Sequence, residues 1–287
     1  MPYLIKSPFL NEHNVKTIYN STDSFENFKI NCKNLGPKWI WANKPIVYKF
    51  NSFGYRMEKE LNEIDFDSYL AFFGCSFTTG VGLPLEETFS YRISKTLKID
   101  YINGAIGGSS VDFAFYNIIH LLSSAPKNPK AIIINWPDIS RTFYWHNNFM
   151  DFYLANVDVS DKFWKNAYKL FIIEDSHMNN RFHHYRQVLH LLCKSLKIKL
   201  FEFTFIQSNL DEFLKTHSEV RRFSFFDSKF GPKPNGGYDL EHLNKFCARD
   251  INPKSLNKNN LFTESHPGVH VQQNVEKEFL SWYNNYV

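Results

Sequence analysis

The chain has 287 residues, a net charge of +4, 43% hydrophobic and 22% charged residues, enough to bury a substantial core in one large domain or two modest ones. Its 33 basic residues are spread along the chain with no basic run, which argues against a nucleic-acid role. No stretch approaches 18 apolar residues, so no membrane span is expected.

The N-terminal stretch MPYLIKSPFLNEHNV shows no apolar run behind a basic one, so no secretory signal is read there. Cys32, Cys75, Cys193 and Cys247 stand far apart without a Cys-x-x-Cys pair, which fits a reducing compartment better than a disulfide scaffold or zinc ribbon. A cytoplasmic protein is the expectation. The 29 Phe, 15 Tyr and 6 Trp carry little functional weight by themselves.

Residues 1–66 are polar and irregular, with one expected hairpin in IVYKFNSFGYRM, where Asn51-Ser52-Phe53-Gly54 supplies turn residues. They read as an extension packed on a main domain of residues 67–287. From there strand and helix patterns alternate. YLAFFG (69–74), IDYING (99–104), AIIIN (131–135), IKLFEFTF (198–205) and RRFSFF (221–226) are strand-like. Helical spacing marks PLEETFSYRISKTL, SSVDFAFYNIIHLLSS with a serine N-cap, DKFWKNAYKLFII, NRFHHYRQVLHLLCKSL, a short piece near NLDEFLK, and a last helix from near Pro267. Such alternation predicts an α/β fold: a three-layer α/β/α sandwich on a flavodoxin-like parallel sheet of about five strands. Ligands of such sheets bind beyond the carboxyl ends of the strands, and Ser76, Gly108 and Trp136 each follow one of the first three.

Three constellations lie on that edge. In Gly74-Cys75-Ser76-Phe77-Thr78 a serine follows a buried strand at a helix start, where backbone N–H groups stabilise an anion. Taken alone, it reads first as a tight βα turn. In Asn103-Gly104-Ala105-Ile106-Gly107-Gly108-Ser109-Ser110 a glycine backbone can approach a ligand closely. In Thr263-Glu264-Ser265-His266-Pro267-Gly268 a histidine precedes a proline that suits a helix's first turn, with Glu264 in reach of its second ring nitrogen.

Together these blocks resemble the SGNH hydrolases, the GDSL esterases and lipases. Gly74-Cys75-Ser76-Phe77-Thr78-Thr79-Gly80 matches the first block, with Cys75 where the family usually has Asp. Gly108 matches the second block's oxyanion glycine, and His266-Pro267 the last block. The resemblance spans roughly residues 68–287 and implies a serine esterase: Ser76 as nucleophile, His266 as base, and Glu264 as acid with Asp250 in reserve. The oxyanion would be received by Ser76, Gly108 and Asn135.

Two positions depart from the pattern. Pro137 of Asn135-Trp136-Pro137-Asp138 occupies the family's oxyanion Asn slot and has no N–H to give, so Asn135 is the substitute. Thr263 stands where the family has its acid. No cofactor and no metal are expected; His183, His184 and His190 lie in one helical stretch, but adjacent histidines point to different sides of a helix, and the i, i+4 pair His266 and His270 lacks a third ligand. Cys75 as nucleophile is disfavoured because it should point away from Ser76. The stretch 136–164, rich in Trp136, Phe143, Tyr144, Trp145, Phe149, Phe152, Tyr153 and Trp164, reads either as a local core or as a cover whose aromatic faces meet a sugar or acyl chain. The substrate is a small ester, an acylated carbohydrate among the options. Two other readings stay open: an impaired relative that binds a glycan or a protein, and a flavodoxin-like binder of a phosphorylated cofactor in which Ser76 to Gly80 would cradle phosphate.

Overall fold

The computed structural model describes residues 3–7, 16–139, 141–146, 149–153, 175–205, 221–222, 240–254 and 266–285. Its main sheet has five parallel strands: β3 (Tyr69–Phe73), β4 (Asp100–Asn103), β5 (Ala131–Asn135), β8 (Lys199–Thr204) and β9 (Arg221–Arg222), in the order β4-β3-β5-β8-β9. β1 (Lys16–Thr17) pairs antiparallel with β2 (Tyr48–Lys49), and β6 (Thr142–His146) with β7 (Phe149–Tyr153). The central strands β3 and β5 are buried at every residue. This is why YLAFF and AIIIN read as unbroken apolar runs rather than alternating ones.

The helices are α1 (Phe25–Leu35), α2 (Ser76–Thr79), α3 (Phe89–Leu97), α4 (Val111–Ser124), α5 (Asp175–Ser195), α6 (Leu240–Phe246) and α7 (Val269–Asn284). One sheet face packs on α3 and α7: Phe89 of α3 meets Phe72 and Phe203, and Phe279 of α7 meets Phe201. On the other face Arg186 of α5 reaches Glu202 of β8, Phe182 of α5 abuts Trp136, and Phe115 of α4 stacks on Tyr185 of α5. The expected three-layer α/β/α sandwich is therefore present. Among the described residues, no helix is long and apolar enough to cross a membrane.

The turn after β3 explains its glycine. Gly74 has φ +151°, and a β-carbon there would sit 2.3 Å from Thr78 Oγ1 and 2.8 Å from the Asn135 carbonyl. Only glycine lets the chain leave the sheet so tightly that Ser76 becomes the first residue of α2. The expected caps also hold at α4, where Ser110 accepts from the Phe113 N–H at 3.2 Å.

Residues 16–66 hold more regular structure than their composition suggests. The hairpin at Asn51 to Gly54 is present, with Gly54 N–H donating to Asn51 O at 2.9 Å and Phe50 bridging Arg56. α1 was not foreseen; Ser24 caps it by accepting from Asn27 N–H at 3.1 Å. The segment bonds deeply into residues 67–287. Arg56 is buried, donating through Nη1 to Thr79 O at 3.2 Å and through Nη2 to Leu83 O at 2.6 Å. Trp41 Nε1 donates to Cys247 O at 3.2 Å, and Asn31 Nδ2 to Ile251 O at 2.8 Å.

Candidate active site

Ser76 and His266 are 190 positions apart in the chain, and the fold brings His266 Nε2 to 2.7 Å from Ser76 Oγ. The histidine reaches this point by strand pairing rather than helix geometry. Pro267 bridges Cys247, Ala248 N–H donates to His266 O at 2.9 Å, and Gly268 N–H donates to Phe246 O at 2.6 Å. Gly268 is the N-cap of α7, which starts at Val269, so Pro267 lies ahead of the helix and not in its first turn. For the same reason His266 and His270 do not form an i, i+4 pair on one helix face. Phe77 and the imidazole form a T-shaped pair, with ring centroids 5.0 Å apart.

The carboxylate on the other imidazole nitrogen is that of Asp250, hydrogen-bonded to His266 Nδ1. Asp250 Oδ1 also accepts the His266 backbone N–H at 3.3 Å, and Oδ2 accepts the Thr22 hydroxyl at 2.6 Å. Asp250, the reserve acid of the sequence reading, is thus the carboxylate found on Nδ1, and Glu264 lies outside the described residues. The bridge between residues 247 and 267 lays the 248–250 segment against His266 so that 16 residues of sequence separation vanish in space. Burial pushes the Asp250 carboxyl up, but the facing imidazole and the hydrogen bonds from His266 and Thr22 outweigh it and hold the group below its ordinary range.

Accessibility grades along this line. Ser76 is 9% exposed, the His266 side chain 14% and the Asp250 side chain 1%. The acid is therefore the most deeply buried of the three, with Ser76 and His266 nearer the surface.

The other expected residues fare differently. Ser76, as the first residue of α2, has an N–H with no acceptor inside the helix. Gly108 is half-buried on the same sheet edge at φ +74°. Asn135 ends β5 beside Gly74, but its side chain is fully buried and neither amide atom has a hydrogen-bond partner among the described residues. Cys75 is buried and does not share the Ser76–His266 contact. Trp136 is a core residue, donating from Nε1 to Glu202 at 3.0 Å. Phe143, Tyr144, Trp145, Phe149, Phe152 and Tyr153 lie along the β6–β7 hairpin, and Trp164 lies outside the described residues. His190 pairs with Glu202 at 2.7 Å. Among the described residues no group of three or more His, Cys, Asp or Glu could hold a metal ion.

A cleft runs along this edge between the two parts of the chain. It is lined by Asn20, Ser21, Phe50 and Gly54 on one side and by Thr79, Ala105, Ile106 and Gly107 on the other.

Several solved structures are similar to the chain. A member of the lipolytic protein G-D-S-L family from Veillonella parvula is 13% identical with a TM-score of 0.41, the match covering 75% of this chain and 97% of that one. A lipolytic protein of the G-D-S-L family, described as putative, from Desulfitobacterium hafniense is 12% identical (TM-score 0.37, covering 73% and 95%). The psychrotrophic esterase EstA from a Pseudoalteromonas species is 12% identical (TM-score 0.40, covering 76% and 97%). No protein-family model and no curated protein matches the sequence.

Proposed function

We propose that this protein is a serine acyl hydrolase that cleaves esters through an acyl-enzyme formed on Ser76. The observation that carries the reading is the continuous line from Ser76 Oγ through both nitrogens of His266 to the buried carboxylate of Asp250. A serine hydroxyl is a weak nucleophile until a base takes its proton. With Asp250 accepting from Nδ1–H, the proton-free nitrogen is Nε2, 2.7 Å from the hydroxyl.

The reaction runs in two halves. Ser76 Oγ attacks the ester carbonyl while His266 takes the hydroxyl proton, and Asp250 stabilises the imidazolium that forms. His266 then gives that proton to the leaving alcohol. Water enters, loses a proton to His266, attacks the acyl-serine, and the acid departs as the proton returns to Ser76.

The oxyanion is assigned to the backbone N–H groups of Ser76 and Gly108. Asn135 is left out, because its amide is closed off beneath the surface. The substrate class proposed is the small esters. An acylated carbohydrate remains within this class.

The test is intact mass after treatment with a fluorophosphonate, comparing wild type with Ser76→Ala. A single adduct present on the wild type and missing from the variant is expected, followed by turnover in a screen of short-chain esters. Failure to label under conditions that label a control esterase would leave a binding protein on a hydrolase-like fold.

A further inference from the structure

The acid of the triad is held from outside the strand-and-helix core, by the N-terminal stretch. Asn20 and Asp23 close a tight turn on each other, with N–H to carbonyl distances of 3.0 and 3.1 Å, and Ser21 takes φ +57° inside it. The next residue, Thr22, donates its hydroxyl to Asp250 Oδ2 at 2.6 Å across 228 positions of sequence. That oxygen is the one His266 Nδ1 also addresses.

A second bond pair runs beside the first, one residue over in each segment. Asp23 receives Arg249 bidentately, Nε to Oδ1 at 2.8 Å and Nη2 to Oδ2 at 2.7 Å, with both side chains buried. Arg249 Nη2 also donates to Ile18 O at 2.6 Å. Tyr48 closes the cluster from β2: its hydroxyl donates to Asp23 Oδ2 and accepts the Gly82 N–H at 2.8 Å. Arg249 N–H in turn donates to Gly82 O at 2.8 Å. Thr22 is thus fixed by a turn and a buried ion pair, with its hydroxyl pointed at one carboxylate oxygen.

We propose that Thr22 is a positioning residue of the active site, fixing the Asp250 carboxylate in the orientation that keeps His266 in its base-competent tautomer. Among the described residues the donors to Asp250 are this hydroxyl and two nitrogens of His266. Both histidine bonds leave with the histidine when it moves, so Thr22 is the anchor independent of it. A carboxylate held by one anchored donor has a defined lone-pair direction toward Nδ1. The inference rests on the hydrolase reading for its catalytic consequence, but not for the contact itself.

The experiment compares Thr22→Val, which keeps the shape and loses the hydroxyl, with Thr22→Ser, which keeps the hydroxyl. The first readout is the far-downfield proton resonance of His266 Nδ1–H in the resting protein, which needs no turnover. It is expected to move or broaden in Thr22→Val and to persist in Thr22→Ser. The second is the rate of fluorophosphonate labelling at Ser76, expected to fall roughly 10- to 100-fold in Thr22→Val, the size that one hydrogen bond to a charged group carries. Thr22→Ser should stay within about threefold of wild type. The third is a double-mutant cycle: if Thr22 acts through Asp250, adding Thr22→Val to Asp250→Asn slows labelling no further.

An unmoved resonance, a Thr22→Val rate within twofold of wild type, or effects that multiply in the double variant would overturn the proposal. Should Thr22→Val not fold, Thr22→Ala carries the same comparison. A wild type that shows the resonance and its dependence on Thr22 yet never labels sinks the hydrolase reading and leaves the Thr22 anchor standing.

Discussion

Replacing Asp250 by asparagine exchanges a carboxylate that accepts three hydrogen bonds for an amide that accepts at only one of its two end atoms. The three donors are the Thr22 hydroxyl at 2.6 Å, the His266 backbone N–H at 3.3 Å, and His266 Nδ1. With its oxygen toward Nδ1, the amide would turn its NH2 against the backbone N–H of His266, stranding a buried donor at a cost of about 1–3 kcal/mol. In the opposite orientation every atom is satisfied: the NH2 donates to Nδ1, the oxygen accepts the backbone N–H, and the Thr22 hydroxyl rotates to accept. That second arrangement moves the imidazole proton to Nε2, where it faces the hydroxyl of Ser76 and cannot take its proton. The preference leaves only about 1–15% of molecules in the base-competent tautomer. Those molecules also lack the negative charge that steadies the imidazolium. A combined fall of about 10³–10⁴ in kcat/KM is expected, the scale this replacement reaches in serine proteases. The assay is hydrolysis of an activated short-chain ester, with urea unfolding to confirm the fold and Glu264→Gln as comparator, expected within about twofold of wild type. A folded Asp250→Asn protein within tenfold of wild type would refute the reasoning, and a large loss in Glu264→Gln would return the acid's role to that residue.

The other expectations are more local. Glu202 is buried between Arg186 and His190; burial raises its carboxyl, but the hydrogen bonds and charges of those two residues hold it down to about 2 from its usual 4.5. Its folded value is depressed, so the stability it contributes is present above about pH 4.5 and is lost as pH falls toward about 2, some 3 kcal/mol in all. Urea unfolding across that window should show the loss in the wild type and a flatter profile in Glu202→Gln. That variant should also be about 3–5 kcal/mol less stable at neutral pH, because Arg186 is left buried without its partner. Gly74→Ala should cost about 2–4 kcal/mol by denaturant titration, since the added carbon meets the Asn135 carbonyl at 2.8 Å and the positive φ strains any other residue. A neutral Gly74→Ala would mean that the turn can reopen. Asn135→Ala should keep activity within about tenfold and leave stability unchanged or higher, because it removes an amide that has no partner. A loss of about 10²–10³ in kcat would instead make Asn135 an oxyanion donor.

The central sheet was legible in the sequence because β3 and β5 are short unbroken apolar runs, and the candidate serine because Gly74 and Gly80 frame Ser76 at the end of such a run. Those signals are local: a strand announces itself within five residues and a βα turn within seven. α1 left a local trace too, in Ser24 followed three positions later by Asn27, but its exposed Phe25 and Ile30 blurred the apolar stripe. His266 was readable from its proline, although the expected helix turn proved to be a strand-like bridge.

The acid was another matter. No spacing rule ties Asp250 to His266 across 16 residues, or Thr22 to Asp250 across 228, because each pair meets only where two backbone segments are laid side by side. Sequence proximity favoured Glu264, whereas hydrogen-bond geometry depends on the bridge between Cys247 and Pro267 and on the clasp between Asp23 and Arg249. The amino-acid sequence alone determined the α/β layering and the serine and histidine that the site offers, through short-range pattern. Which carboxylate completes the line, and that the N-terminal stretch holds it there, was decided by tertiary packing, since burying a charged carboxylate demands donors from wherever the fold can bring them.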